Sequence, residues 1–388
     1  MVEVAQEIIN AIVDAVAASD DLSDRLTEDK SLRACALTTR AFVVPAQRQL
    51  FHIVDVTASQ MERLISKLTA ASHLASYIRH FNLRLPMGPS YHRALGTLFA
   101  LLTETERFAL WVSKLWLPIS GEFWTAFCSN LRALPSLRCF AVISCGPLPK
   151  SLVRHALCSY EEVAFVNCTV DPCRDFPIAH RPDSRARNGL RHLVVASHLG
   201  LEDEVLRDFL LSPDVDLQHL RYLGLSVSDE DSLILLNQIA FRTDSVERLE
   251  LDFDDTSSDE PVKLPSIPGL RCLTLRQKSI KILRIRDDII SLLATLHDHT
   301  PNLEIVTIII DLLNPWLSQY ATTSGCEPAD RALKKLRRLR KVHFKICPMC
   351  KQVTEFIEDA RENLLPEANA ADLLVFTSGS GHLIHEDD

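Results

Sequence analysis

A loose apolar motif, Leu-x-x-Leu-x-Leu, recurs along the chain and constrains its fold more than any other feature. Clear copies read at Leu137/Phe140/Val142, Leu190/Leu193/Val195, Leu220/Leu223/Leu225, Val246/Leu249/Leu251, Leu270/Leu273/Leu275, Leu303/Val306/Ile308 and Leu339/Val342/Phe344. Weaker copies read at Ile78/Phe81/Leu83, Val112/Leu115/Leu117 and Tyr160/Val163/Phe165. First positions of successive copies lie 23 to 36 residues apart, a spacing that points to a repeat array. Within each copy the last two apolar residues are two apart, which puts both on one face of a strand. Most of the intervening stretches, such as 59–77, 121–134, 202–212, 229–241 and 284–299, carry helical periodicity. One strand and one helix cannot bury their apolar faces alone, so neighbouring units must stack. The expected class is α/β: a short helical module over residues 1–56, then an irregular solenoid over 57–388, a horseshoe with helices outside and strands lining the concave side.

The composition narrows what such a chain does. A net charge of -9 argues against general affinity for nucleic acid or an anionic membrane surface. No apolar run approaches the roughly 20 residues that span a bilayer. The amino terminus carries Glu3, Glu7 and Asp14 and no basic segment ahead of an apolar run, so no secretory signal is expected. Eleven cysteines without framework spacing fit a reducing, intracellular compartment, cytoplasm or nucleus. With 11 glycines the chain has no G-x-G-x-x-G, no G-x-x-x-x-G-K and no G-x-S-x-G, so a loop that cradles phosphate is missing. H-E-x-x-H is absent too. These signs point away from an enzyme, and no cofactor or metal is expected.

Residues 1–56 do not follow the repeat. Val4, Ile8, Ile9, Ile12, Val13 and Val16 keep helical spacing, and an acidic stretch over 20–29 reads as a loop or short polar turn. A second helical segment, LRACALTTRAF over 32–42, is followed by Pro45 and by AQRQLFHIVDV, which turns strand-like near 51–56. This region resembles an F-box, in particular the F-box-like version common in mushroom-forming fungi. The likeness is carried by VAQEI at 4–8, by Cys35, Leu37 and Phe42, and by Arg48, Leu50 and Phe51. Ala5 stands where the family has a proline. The order of F-box, then leucine-rich repeats, is one of the family's standard arrangements. The resemblance implies a non-catalytic substrate-recognition adaptor of an SCF-type, cullin-based ubiquitin ligase. Its Skp-type adaptor would be met by Val4, Ile8, Ile12, Leu32, Cys35, Leu37, Phe42 and Leu50, and its repeats would bind a protein substrate. The alternative is a leucine-rich-repeat scaffold without ligase docking, in which the helices only cap the open end of the array.

Strand alternation selects the residues that point to the concave face. The conspicuous ones are Trp116, Tyr222, Arg248, Glu250, Asp252, Arg276 and His343, and Trp, Tyr and Arg are frequent interface anchors. Other signals are weaker. CPMC at 347–350 reads as a loop after the last strand; a thiol enzyme there would need a lowered thiol pKa. The basic run over 331–345 reads as a solvated helix that feeds a strand, and the segments 173–189 and 252–268 read as surface loops.

Overall fold

The computed structural model of the 388-residue chain describes residues 6–17, 25–85, 92–112, 119, 121–171, 189–196, 204–227, 230–253, 263–279, 285–312, 327–348 and 365–378. The chain divides into two compact units, Met1–Tyr160 with Cys168–Ala186, and Glu161–Asn167 with Arg187–Asp388.

The first unit opens with α1 (Gln6–Ala17), α2 (Arg25–Thr38) and α3 (Arg40–Leu50). Helix therefore begins inside the stretch expected to be a polar turn, because residues 25–31 contain neither glycine nor proline and are mostly good helix formers. The segment expected as one helix over 32–42 is split between two. Thr39 is extended, with φ -150 and ψ 162, and it follows Thr38, whose Oγ donates back to the Ala34 carbonyl at 2.9 Å. Paired β-branched residues of this kind weaken a helix. α1 lies against α3 and buries Ile9 and Val13. Pro45 inside α3 has no N–H to offer the Ala41 carbonyl. Gln6 Nε2 of α1 donates to that carbonyl at 3.4 Å, and Gln49 Nε2 donates to Asp14 at 2.8 Å, so the two helices are tied where α3 is locally weak.

The unit continues with β1 (Ile53–Thr57), α4 (Met61–Ala70), β2 (His80–Leu85), α5 (His92–Leu101), β3 (Arg107–Val112), α6 (Gly121–Asn130), β4 (Cys139–Ile143) and α7 (Lys150–Ser159). β1 to β4 pair in sequence order and all in parallel, with Val56 beside Leu83, Leu83 beside Leu110 and Leu110 beside Val142. Crossovers through helices are what make consecutive strands parallel. A separate pair of two-residue strands, Leu148–Pro149 and Val170–Asp171, lies beside them in sequence. Phe108 of β3 sits among Phe81, Phe99, Phe127 and Phe140 at ring-centroid distances of 6.0, 5.5, 5.6 and 6.2 Å, an aromatic core for this unit.

The second unit holds β5 (Glu162–Val166), β6 (His192–Ala196), β7 (Tyr222–Val227), β8 (Arg248–Phe253), β9 (Cys272–Ser279), β10 (Ile305–Leu312), β11 (Lys341–Pro348) and β12 (Leu374–Ser378). They too pair in sequence order and in parallel. The described helices between them are α8 (Glu204–Leu210), α9 (Glu230–Arg242), α10 (Asp287–His299), α11 (Glu327–Lys335) and α12 (Pro366–Ala370). Asp330 of α11 is buried, and its carboxylate accepts the backbone N–H groups of Glu367 and Ala368 at 2.7 and 2.9 Å, which fixes the start of α12.

The motif register is visible directly. Leu193, Leu223, Leu249, Leu273, Val306 and Val342 stand side by side, and the inward pair of every strand from β2 to β11 is at most 2% exposed. Each such side chain contributes about 1.5–3 kcal/mol by leaving water. Of the weak match at Val112/Leu115/Leu117, Val112 closes β3 and the other two lie outside the described residues; β3 itself has Phe108 and Leu110 inward and Thr105 in the leading position. Thr105 is fully buried and donates its hydroxyl to the Ile78 carbonyl at 3.3 Å, so a hydroxyl takes the place of an apolar side chain by bonding to the preceding unit.

A second periodicity runs beside the apolar one. The residue after each leading position is charged: Arg79, Glu106 and Arg138 in the first unit, and Glu161, Arg191, Arg221, Glu247, Arg271, Glu304 and Arg340 in the second. Within each unit the backbone N–H of each donates to the carbonyl of the one before it at 2.7–2.9 Å. Signs alternate except at Arg191 and Arg221, and neighbours pair at Arg79–Glu106 (3.1 Å) and Arg340–Glu304 (3.8 Å).

Candidate functional site

Two places collect the candidate residues, one in each unit. On the helical module, burial separates the expected docking residues. Leu32 is buried, and Cys35, Phe42 and Leu50 are half-buried. Ile8, Ile12 and Leu37 are exposed by 54%, 44% and 87%. α1 is therefore apolar on two sides, with Ile9 and Val13 inside and Ile8 and Ile12 outside. Val44 of α3, exposed by 49%, joins this set and was missed, although its place in the run Phe42–Val43–Val44 gave a signal. Val4 lies outside the described residues.

In the second unit, the strand face opposite the buried apolar pairs carries a polar chain that crosses five strands. The Tyr222 hydroxyl of β7 donates to Glu250 of β8 at 2.5 Å, and the other Glu250 oxygen is 3.6 Å from Arg276 Nε of β9. Arg276 Nη1 donates to Asp311 of β10 at 3.0 Å, and the Cys347 thiol of β11 is hydrogen-bonded to Asp311. Asp252 of β8 meets Lys278 of β9 at 3.4 Å. Register explains the geometry: Asp252 stands beside Arg276, and Asp311 beside Cys347.

Tyr222, Asp252 and Arg276 are at most 6% exposed, so in this chain they serve one another before any partner. Burial pushes the Tyr222 hydroxyl up, and the Glu250 carboxylate beside it adds to the effect, so it stays a donor. Burial alone would lower Arg276, but Asp311 and Glu250 outweigh it and hold the guanidinium charged. Burial, then Asp311, pushes the Cys347 thiol up to about 11. That is the opposite of the lowered pKa a reactive thiol needs; Cys347 lies in β11, and Met349 and Cys350 fall outside the described residues. Among the expected surface residues, Arg248 is exposed, Glu250 and His343 are half-buried, and His343 Nε2 is 2.7 Å from the Thr377 hydroxyl of β12.

Trp116 lies outside the described residues. Trp111 of β3 stands on the strand face opposite Phe108 and Leu110 in the first unit, with the Arg84 guanidinium 5.8 Å from its ring centroid. Asn82 beside it donates to Asp55 at 2.6 Å. With β3 over Arg107–Val112, strand alternation selects Trp111, which a motif copy starting at Val112 does not.

An open cleft of about 310 Å³ lies along the charged ladder of the second unit, lined by His219, Arg221, Asp244, Ser245, Glu247, Gly269 and Arg271. Arg221, Glu247 and Arg271 in its lining belong to the ladder, and Gly269 is needed there because a Cβ would come within 2.6 Å of the Asp244 carbonyl. Among the described residues no group of three or more His, Cys, Asp or Glu is placed to hold a metal ion, and no helix is long and apolar enough to cross a membrane. In comparisons with known proteins, the chain matches no protein-family model and no curated protein.

Proposed function

We propose that the chain is a non-catalytic adaptor of a cullin-based ubiquitin ligase: its F-box-like helices dock a Skp-type adaptor and its leucine-rich repeats present a protein substrate. The observation that carries this reading is the exposure of Ile8, Ile12, Leu37 and Val44 on three short helices that resemble an F-box in sequence. Exposed apolar side chains of this size on a small bundle mark a surface that a partner covers. Substrate contact falls to the accessible residues of the strand face, Arg248, Glu250 and His343. Tyr222, Asp252 and Arg276 hold that face in shape from beneath.

Co-expression of the full chain with a Skp-type adaptor tests the docking, and a stable complex is expected. A second reading, a repeat scaffold without ligase docking, is favoured by Ala5 in place of the family's proline. A folded chain that captures protein partners but leaves the adaptor unbound at micromolar concentration selects that reading.

A further inference from the structure

Charge on the strand face of the second unit is spent unevenly. On β8 and β10 the carboxylates Glu250, Asp252 and Asp311 each have a cation of the chain within 4 Å. The cations of the face do not balance in return. Among the described residues, Arg248 of β8 and Lys341 and Lys345 of β11 have no carboxylate within ion-pairing distance, although Arg276 and Lys278 do. Lys341, His343 and Lys345 alternate along β11 and so share one face. Flanking positions in register are Ile305, Thr307 and Ile309 on β10 and Val375 and Thr377 on β12, none of them acidic. The face thus presents unneutralised positive charge between apolar and hydroxyl side chains, on a chain whose net charge is -9.

We propose that β11 is a docking strip for a short acidic segment of a protein partner, whose carboxylates pair with Lys341 and Lys345. This rests on the reading of the strand face as the substrate surface and adds the chemistry of what it takes. Alternate side chains on an extended segment repeat about every 6.6–6.8 Å, which matches the spacing of the two lysines and His343 along the strand. A peptide suits the strip better than a nucleic acid. The overall negative charge opposes a long polyanion, and neither flanking strand offers an outward aromatic ring for a base to stack on.

The test uses the full chain and three fluorescein-labelled probes: a peptide of alternating glutamate and alanine, its glutamine counterpart, and a single-stranded RNA of similar length. Fluorescence anisotropy should show binding of the acidic peptide that weakens with salt, with no binding of the glutamine peptide. The double variant Lys341→Gln/Lys345→Gln should weaken it about tenfold, the scale of two half-exposed ion pairs, with an unchanged melting temperature. Equal binding of the acidic and glutamine peptides, or indifference to the double variant, overturns the proposal. Tighter, lysine-dependent binding of the RNA overturns it in favour of a nucleic-acid surface. If the peptide fails while Arg248→Ala still weakens capture of a natural partner, only the assigned chemistry falls and the substrate face stands.

Discussion

Replacing Arg276 by methionine should do more damage than any other single polar change on the strand face. The side chain is only 7% exposed, donates to Asp311 at 3.0 Å and faces Glu250 at 3.6 Å. Opposite charges about 4 Å apart attract by about 4 kcal/mol at an effective dielectric constant near 20. Desolvation of the guanidinium offsets much of that while the pairs are intact. Methionine fills most of the volume but leaves two carboxylates with their cation gone, and breaking a buried pair in this way costs about 3–5 kcal/mol. Asp311 and Glu250 keep 18% and 19% of their side-chain surface in water, so the lower end, about 3 kcal/mol, is the expectation. The double variant Arg276→Met/Asp311→Asn removes one stranded charge and should recover about 1–2 kcal/mol. Urea denaturation followed by hydrogen exchange at β8 to β10 reads both. A loss below about 1 kcal/mol in the single variant, or no recovery in the double, would refute the assignment of this chain of contacts as a buried ionic stitch.

Three further outcomes follow from the packing. Phe108→Ala empties the centre of the aromatic core of the first unit and should cost about 3–5 kcal/mol in chemical denaturation, with hydrogen exchange accelerating in β2 to β4. Asp330→Ala strips the carboxylate from the first N–H groups of α12 and should cost about 1–3 kcal/mol, read as lost exchange protection over Pro366–Ala370 and Leu374–Ser378. The Cys347 thiol, pushed up to about 11 from an ordinary value of 9.0, keeps its proton in the folded chain at pH values where the unfolded chain has lost it. Its contribution to stability is thus complete below about pH 9 and declines as the pH rises towards 11. Cys347→Ala should flatten that part of the stability profile, and a profile that is already flat in the parent chain would contradict the assigned shift.

Much of the architecture was legible because burial leaves a regular mark. Leu223, Leu249, Leu273, Val306 and Val342 are two residues before or after an equally buried partner, and that spacing admits only a strand with one dry face. β3 escaped because Thr105 occupies a leading position that elsewhere is apolar; a hydroxyl fits there only through its bond to the Ile78 carbonyl, which a residue pattern does not reveal. The face residues follow the same spacing: a copy starting at Val112 selects Trp116, which lies outside the described residues, and passes over Trp111. The helix break at Thr39 was likewise invisible to apolar periodicity, since Leu32 to Phe42 stays in phase across it.

Alternation correctly turned Tyr222, Asp252 and Arg276 away from the apolar core, yet they are buried. Direction along a strand follows from sequence position, whereas accessibility depends on which side chains find partners on neighbouring strands. That pairing of Tyr222 with Glu250 across 28 residues, and of Arg276 with Asp311 across 35, is set by register between strands. The same limit hid the distinction within α1, where Ile8 and Ile9 are equally apolar and only one is covered.

The most direct test of the account titrates a purified Skp-type adaptor into the full chain in a calorimeter, beside the variant Ile8→Glu/Leu37→Glu. Both positions are exposed, so the variant should fold and melt like the parent. The parent is expected to bind, and the variant to lose on the order of 2 kcal/mol or more, about thirtyfold in affinity. Equal binding by parent and variant, or no heat from a folded parent at micromolar concentration, would contradict the assignment of these helices as the docking surface.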